Sequence, residues 1–183
     1  MIIFDDFLPN SNLRLDLTKD SFWAKMINGL QMTWCDRNKD PSNPIEELSK
    51  IVWNEVVGIK QNIDGWEYWA HHLTADGHQE LDFHYDTDLM NGVSKDEEEI
   101  LIQKGEIRTA DNAFIYYAHR SLPDGGYLEI KNRNDEVERI EPVPNRLIVF
   151  DPKEQHRVTK VTSGARYSLL SNLWHERPKY HLK

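Results

Sequence analysis

Three residues carry the strongest chemical signal in this 183-residue chain: His84 and Asp86 in LDFHYDTD, and His156 in NRLIVFDPKEQHRV. Side chains alternate faces along a strand, so His84 and Asp86, two positions apart, project the same way and can grip one ion together. A lone H-x-D triplet is a weak signal in a chain with eight histidines. A second imidazole from a distant strand strengthens it. Two imidazoles and one carboxylate on one face of a metal leave three coordination positions for exogenous ligands, a donor set suited to ferrous iron.

Arg166 opens the strand that follows His156. A three-residue loop of Thr162, Ser163 and Gly164, with Gly164 left-handed, is expected to join the two strands as a hairpin. That register sets Val161 opposite Ala165 and Arg166 opposite Lys160, on the face of His156 and roughly 13 Å along the strand from it. Two long side chains and a five-carbon diacid span such a gap. One end of the diacid chelates the metal, and a guanidinium fork holds both oxygens of the far carboxylate better than an ammonium does. Ser168 shares the face by parity, and its hydroxyl can add a bond to the same carboxylate.

These residues need a scaffold, and the chain changes texture near residue 62. Before it the sequence reads as helical. Thr18 to Gly29 forms one short helix, and Pro44 to Val57 a second, with Asn43 as cap, Glu46 completing a capping box and Gly58 as stop. Ile45, Leu48, Val52 and Val56 give the second helix an apolar stripe. After residue 62, eight short β-rich runs are expected at 62–74, 79–84, 112–119, 126–131, 136–141, 146–150, 156–161 and 165–175. The expected fold is mainly β with supporting helices: a double-stranded β-helix, or jelly-roll, core over 62–175 with N-terminal helices of residues 1–61 packed on one face, all in a single domain over 1–183. Residues 87–111 form a long insert with a helix near 95–104, the length of a lid.

Composition narrows the partners. Lys and Arg total 22 against 31 Asp and Glu, a net charge of −9 that repels a phosphate backbone and argues against nucleic acid. The only cysteine, Cys35, excludes an intramolecular disulfide, favours a reducing cytoplasm and reads as a small core residue. No stretch approaches membrane-spanning length, and the start, MIIFDDFLPN, lacks the basic region of an export signal.

With HYD at 84–86, FIYYAHRSLPDGGYLEI at 114–130, NRLIVFDPKEQHRV at 145–158 and RYS at 166–168, the chain resembles the Fe(II)/2-oxoglutarate dioxygenase superfamily in its prolyl-4-hydroxylase-like branch, over roughly residues 62–175. The resemblance implies that His84, Asp86 and His156 bind Fe(II), that Arg166 binds the tail of 2-oxoglutarate, and that dioxygen is the third reactant. It implies hydroxylation of a peptidyl residue, proline among the candidates, or of a small metabolite such as an amino acid, with release of succinate and carbon dioxide. Strand parity turns one of Tyr116 and Tyr117 inward, and the resemblance assigns the cosubstrate contact to Tyr117. Gly125 and Gly126 resemble paired glycines before a barrel strand, where a turn needs positive φ. Asp86 favours hydroxylation over halogenation, because related halogenases lack this carboxylate.

The chain departs from the family where a tyrosine often precedes the H-x-D: here HHLTADGHQE spans 71–80 and Tyr68 lies further back. His72 or Thr74 can substitute there, whereas His71 and His72 also read as ordinary sheet residues. Trp174 shares the parity of Arg166 but reads as packing. Two other classes fit the same barrel: a cupin-like small-ligand-binding protein without turnover, and a zinc-dependent hydrolase on the same ligands. A cation and a hydroxyl at cosubstrate spacing, Arg166 and Ser168, argue against the first.

Overall fold

A computed structural model describes residues 1–27, 32–59, 62–77, 82–89, 94–132 and 134–181. The strands are β1 (Ile2–Phe4), β2 (Thr33–Asp36), β3 (Gly65–Thr74), β4 (Asn112–Tyr117), β5 (Asp124–Gly125), β6 (Leu128–Lys131), β7 (Val137–Ile140), β8 (Leu147–Phe150), β9 (Gln155–Val158), β10 (Val161–Ser163) and β11 (Ala165–Trp174). The α-helices are α1 (Asn12–Leu17), α2 (Asp20–Ile27), α3 (Pro44–Ile51) and α4 (Lys95–Lys104).

Six strands form a large sheet in the order β1-β8-β4-β11-β3-β2, and three form a small one in the order β7-β6-β9. Alternation along β4, β8 and β11 splits the buried residues into two layers. Ile115, Tyr117, Ile148, Phe150 and Leu170 point inward and meet Leu128, Ile130 and Ile140 of the small sheet, so the two sheets face each other across a common interior. Phe114, Tyr116, Leu147, Val149, Leu169 and Leu173 point outward and join Leu13, Leu17, Trp23, Ile45, Leu48 and Trp53 of the helical segments in a second core.

The capping of α3 follows from local chemistry, with one change. Asn43 accepts from the amides of Ile45 and Glu46 at 3.0 Å each. Glu46 does not close a box onto Asn43; it accepts from the amide and hydroxyl of Ser42 at 2.7 and 2.8 Å and from the Tyr68 hydroxyl at 3.0 Å. Past α3 the chain widens into a π-helix, Val52–Val57, before the left-handed Gly58 stops it. Cys35 is buried in this core, and burial pushes its thiol up to about 11.

Several expected elements differ. The N-terminal third is not wholly helical: β1 pairs with β8, and β2 pairs with β3. Both are short edge strands whose pairing is set by their partner, so neither shows a period of its own. The run at 156–161 breaks into β9 and β10, because β9 joins β6 while β10 crosses to β5. Thr159 marks the break, its amide donating to the Tyr127 carbonyl at 2.9 Å and its hydroxyl accepting from the Tyr127 amide at 3.0 Å. Of the run at 79–84, residues 79–81 lie outside the described residues, and His84 enters the sheet through a single bridge to His156. The helix expected from Thr18 to Gly29 covers 20–27 as α2, preceded by a separate short α1, and Gly29 lies outside the described residues.

Candidate active site

His84 and His156 stand directly opposite each other. The His84 amide donates to the His156 carbonyl at 3.1 Å and the His156 amide returns the bond at 3.0 Å, so the backbone fixes both Cβ positions. Each ring is then oriented by the carbonyl two residues upstream: His84 Nδ1 lies 2.9 Å from Asp82 O, and His156 Nδ1 lies 3.2 Å from Glu154 O. A carbonyl only accepts, so Nδ1 carries the proton in both rings and Nε2 offers its lone pair. The two Nε2 atoms point at the Asp86 carboxylate from 4.0 and 3.5 Å. One donor atom from each of the three residues lies within 4.8 Å of the others. Those distances are long for hydrogen bonds but close to the separation of ligands that each stand about 2 Å from a shared ion. Burial holds the His156 imidazole below its ordinary value, against the pull of Asp86 and helped by His84, which keeps it in the neutral, metal-binding form. Asp86 is steadied by its carbonyl, which accepts from the Ala110 amide at 3.1 Å.

Deeper in the interior, Arg166 is fully buried. Its Nη1 donates to Ser168 Oγ at 2.8 Å, and its guanidinium carbon lies 5.0 Å from the centre of the Tyr117 ring. Arg166 Nε and Nη2 and the Tyr117 hydroxyl are buried without a hydrogen-bond partner. No ion pair to Arg166 is found among the described residues. A buried cation with two unmet donors is costly alone and is satisfied by one carboxylate taken bidentately. The donor sets at both ends therefore fit an iron ion and a chelating 2-oxo diacid.

The backbone makes room for this arginine. Gly125 and Gly126 have φ of +76 and +67, and a Cβ on Gly126 would lie 2.9 Å from Arg166 Cδ. Gly164 is left-handed at φ +74, but it does not close the expected hairpin. Strand β11 lies between β3 and β4, Arg166 pairs with Leu73 and not with Lys160, and His156 belongs to the opposite sheet. The two residues reach the interior from facing sheets, a crossover that strand parity within one hairpin cannot express.

Register decides the remaining candidates. Tyr117 pairs with Ser168 and faces inward, whereas Tyr116 faces the helices and donates to Asn145 Oδ1 at 2.8 Å. His72, expected as a substitute contact, instead faces the helical side, stacked on Tyr167 at 4.3 Å. Thr74 has the same parity as His72, and Tyr68 is turned outward to Glu46. His71 is the strand's inward residue beside the site, opposite Ser168, and sequence reasoning passed over it because parity was not carried across from β11. Glu67, also missed, lies on the same face opposite Asn172. Trp174 is buried with its indole N–H unpartnered.

The 87–111 insert begins at these ligands. Thr87 bridges Thr109, its hydroxyl donates to Glu98 of α4 at 3.0 Å, and Asp88 accepts from the Arg108 amide at 2.8 Å and its Nε at 2.9 Å. Residues 90–93 lie outside the described residues.

The family model of the 2OG-Fe(II) oxygenase superfamily matches residues 68–174, more than half of the 183-residue chain. The chain belongs to the 2OG-Fe(II) oxygenase superfamily. Its cofactor and cosubstrates are accordingly Fe(II), 2-oxoglutarate and dioxygen. A search of curated proteins found none that matches this oxygenase. Among solved structures, it is similar to a Pseudomonas putida prolyl-4-hydroxylase at 15% identity and TM-score 0.64, covering 96% of this chain and 92% of that one. A Trichoplax adhaerens prolyl hydroxylase in complex with a hypoxia inducible factor peptide fragment superposes at TM-score 0.63 and 14% identity, covering 100% and 86%. A viral collagen prolyl hydroxylase from Paramecium Bursaria Chlorella virus-1, in complex with 2-oxoglutarate, gives TM-score 0.58 and 17% identity over 94% and 93%. At these identities the likeness shows a shared fold, and the two facing sheets of this oxygenase are the jelly-roll of those enzymes. No helix among the described residues is long and apolar enough to cross a membrane.

Proposed function

We propose that this oxygenase hydroxylates a peptidyl residue or a small metabolite, converting 2-oxoglutarate to succinate and carbon dioxide as it does so. One observation carries the reading: a fully buried arginine with two unmet donors shares the barrel interior with the convergent His84, Asp86 and His156. Fe(II), when bound, supplies the oxidising chemistry together with 2-oxoglutarate and dioxygen.

The chain's own residues bind, orient and exclude water. His84, Asp86 and His156 would hold the metal, three protein ligands that leave room for exogenous ones. Arg166, fixed by Ser168 and by the Tyr117 ring, takes the distal carboxylate of 2-oxoglutarate, and the Tyr117 hydroxyl supplies a further donor to it. His71, beside Ser168, is placed to limit how the cosubstrate lies. Inward-facing Leu170, Ile115, Ile148 and Phe150 keep the interior dry, which strengthens each of these electrostatic contacts. We read residues 1–61 as the helical support, 62–175 as the oxygenase core, and 87–111 as a lid over the mouth of the metal centre. A peptide is a reasonable substrate because a relative of the same fold is seen with one bound.

The test is Fe(II)-dependent formation of succinate from 2-oxoglutarate, followed by mass spectrometry of candidate peptides and a metabolite extract for the gain of one oxygen. Succinate formation indifferent to Fe(II), or a binding signal with no turnover of any kind, would overturn it.

A further inference from the structure

Glu67 has no role in the site described above. It lies on the inner face of the large sheet, in a cross-strand row with Trp34 and Asn172, and is 1% exposed. Its carboxylate accepts from Asn172 Nδ2 at 3.2 Å, the Tyr180 hydroxyl at 2.8 Å and His181 Nε2 at 2.9 Å. The last two donors come from one turn of 3-10 helix, Lys179–His181, in the segment after β11. The segment that carries this turn reaches the insert that follows the metal ligands, because Glu176 pairs with Arg108, which also pairs with Asp88.

The two carboxylates at the start of the insert are otherwise engaged. Asp88 is paired with Arg108 at 2.9 Å, and Asp86 faces the metal position. Among the described residues Glu67 pairs with no Lys or Arg, and the one basic group on it is the His181 imidazole at 2.9 Å. A buried carboxylate without a permanent cation is a poor way to stabilise a barrel, since an apolar side chain packs there at lower cost. Turned to the interior that also holds the metal-ligating residues, a buried carboxylate is instead what recognition of a charged group requires.

We propose that Glu67 is the substrate-recognition carboxylate of this oxygenase, receiving a guanidinium or ammonium group, and that Tyr180 and His181 hold its place until substrate arrives. The inference rests on the oxygenase reading of the site and adds the charge of the substrate to it. The two strap donors both reach Oε2 while Oε1 takes a side-chain amide. A guanidinium fork replaces that arrangement with two parallel N–H bonds. The acidic first turn of α4, with Asp96, Glu97 and Glu98, adds negative potential to an insert that begins beside the ligands.

The minimal probes are N-acetyl-arginine amide and its neutral isostere N-acetyl-citrulline amide, titrated calorimetrically into the full chain with and without Fe(II) and 2-oxoglutarate. The arginine probe should bind about tenfold or more tightly than the citrulline probe, and Glu67→Gln should abolish the difference. The double variant Tyr180→Ala/His181→Ala, which removes the competing donors, should tighten arginine binding and leave the 2-oxoglutarate requirement unchanged. Equal binding of the two probes in the wild type and in the double variant overturns the proposal. So does a preference that survives Glu67→Gln, which would leave Glu67 as a tether for the strap. Should Glu67→Gln fail to fold, the double variant decides alone. Charge-selective binding without Fe(II)-dependent succinate formation would instead sink the oxygenase reading and keep the cation site.

Discussion

Gly126→Ala tests the placement of Arg166 without altering the arginine. Gly126 has φ +67, and an added Cβ would sit 2.9 Å from Arg166 Cδ and 3.0 Å from Val161 Cγ2. Carbon atoms rest about 3.5–4.0 Å apart, so the arginine stem must retreat by roughly half an ångström or more. Arg166 is fully buried, and that retreat carries its guanidinium off the position from which it meets a carboxylate. Losing one charge-assisted hydrogen bond of about 1.5–3 kcal/mol raises the half-saturating 2-oxoglutarate concentration roughly tenfold to a hundredfold. The backbone adds a separate penalty of about 1–2 kcal/mol for a left-handed residue with a Cβ. Gly164→Ala is the control, with φ +74 and nearest atoms at an ordinary 3.4 and 3.8 Å, both of Pro123. It should lower the melting temperature by about 2–4 °C per kcal/mol, as the backbone term does in Gly126→Ala, without touching 2-oxoglutarate. The assay is a 2-oxoglutarate titration of Fe(II)-dependent succinate formation alongside thermal melts. An unchanged titration in Gly126→Ala, or an equal weakening in Gly164→Ala, refutes the reasoning.

Other perturbations separate the remaining parts of the site. His84→Ala, Asp86→Ala and His156→Ala should each lose tight Fe(II) binding in equilibrium dialysis, and retention of iron by two of the three would remove the triad. Arg166→Ala should raise the 2-oxoglutarate requirement more than a hundredfold if both unmet donors serve the carboxylate, whereas Ser168→Ala, which only loosens the guanidinium, should cost about 1 kcal/mol; equal effects would contradict that order. Burial alone would raise the Glu46 carboxyl, but the hydrogen bonds from Ser42, Lys39 and Tyr68 together hold it below its ordinary value of 4.5. A depressed carboxylate stabilises the fold above that ordinary value and loses its contribution as pH falls through the lower folded one. Glu46→Gln should therefore be less stable than wild type by about 1–3 kcal/mol at pH 7, with the gap closing on acidification below 4.5 in denaturant melts; a pH-independent gap would show that packing and not charge is at stake.

Much of this molecule is decided by local spacing. Residues two apart in extended backbone share a face, so HYD proposes His84 and Asp86 as partners, and the distant His156 makes the proposal specific. Positive φ at Gly125, Gly126 and Gly164 falls on the residue that adopts it at no steric cost, and the start of α3 follows from Asn43 and Pro44. Helix, turn and parity are short-range physics, and the residues concerned lie within a few positions of one another.

What lies far apart in the chain was settled by tertiary structure. Strand β11 inserts between β3 and β4, and only that register turns Tyr117, His71 and Glu67 to the interior while sending Tyr116, His72 and Tyr68 to the helices. The crossover from β9 to β10 places His156 and Arg166 on facing sheets, where a hairpin would have kept them on one. The edge strands β1 and β2 exist because β8 and β3 offer them unpaired backbone, not because three or four residues declare a period. Pairing free energy depends on the partner as much as on the strand itself, and a sequence read in windows contains one without the other.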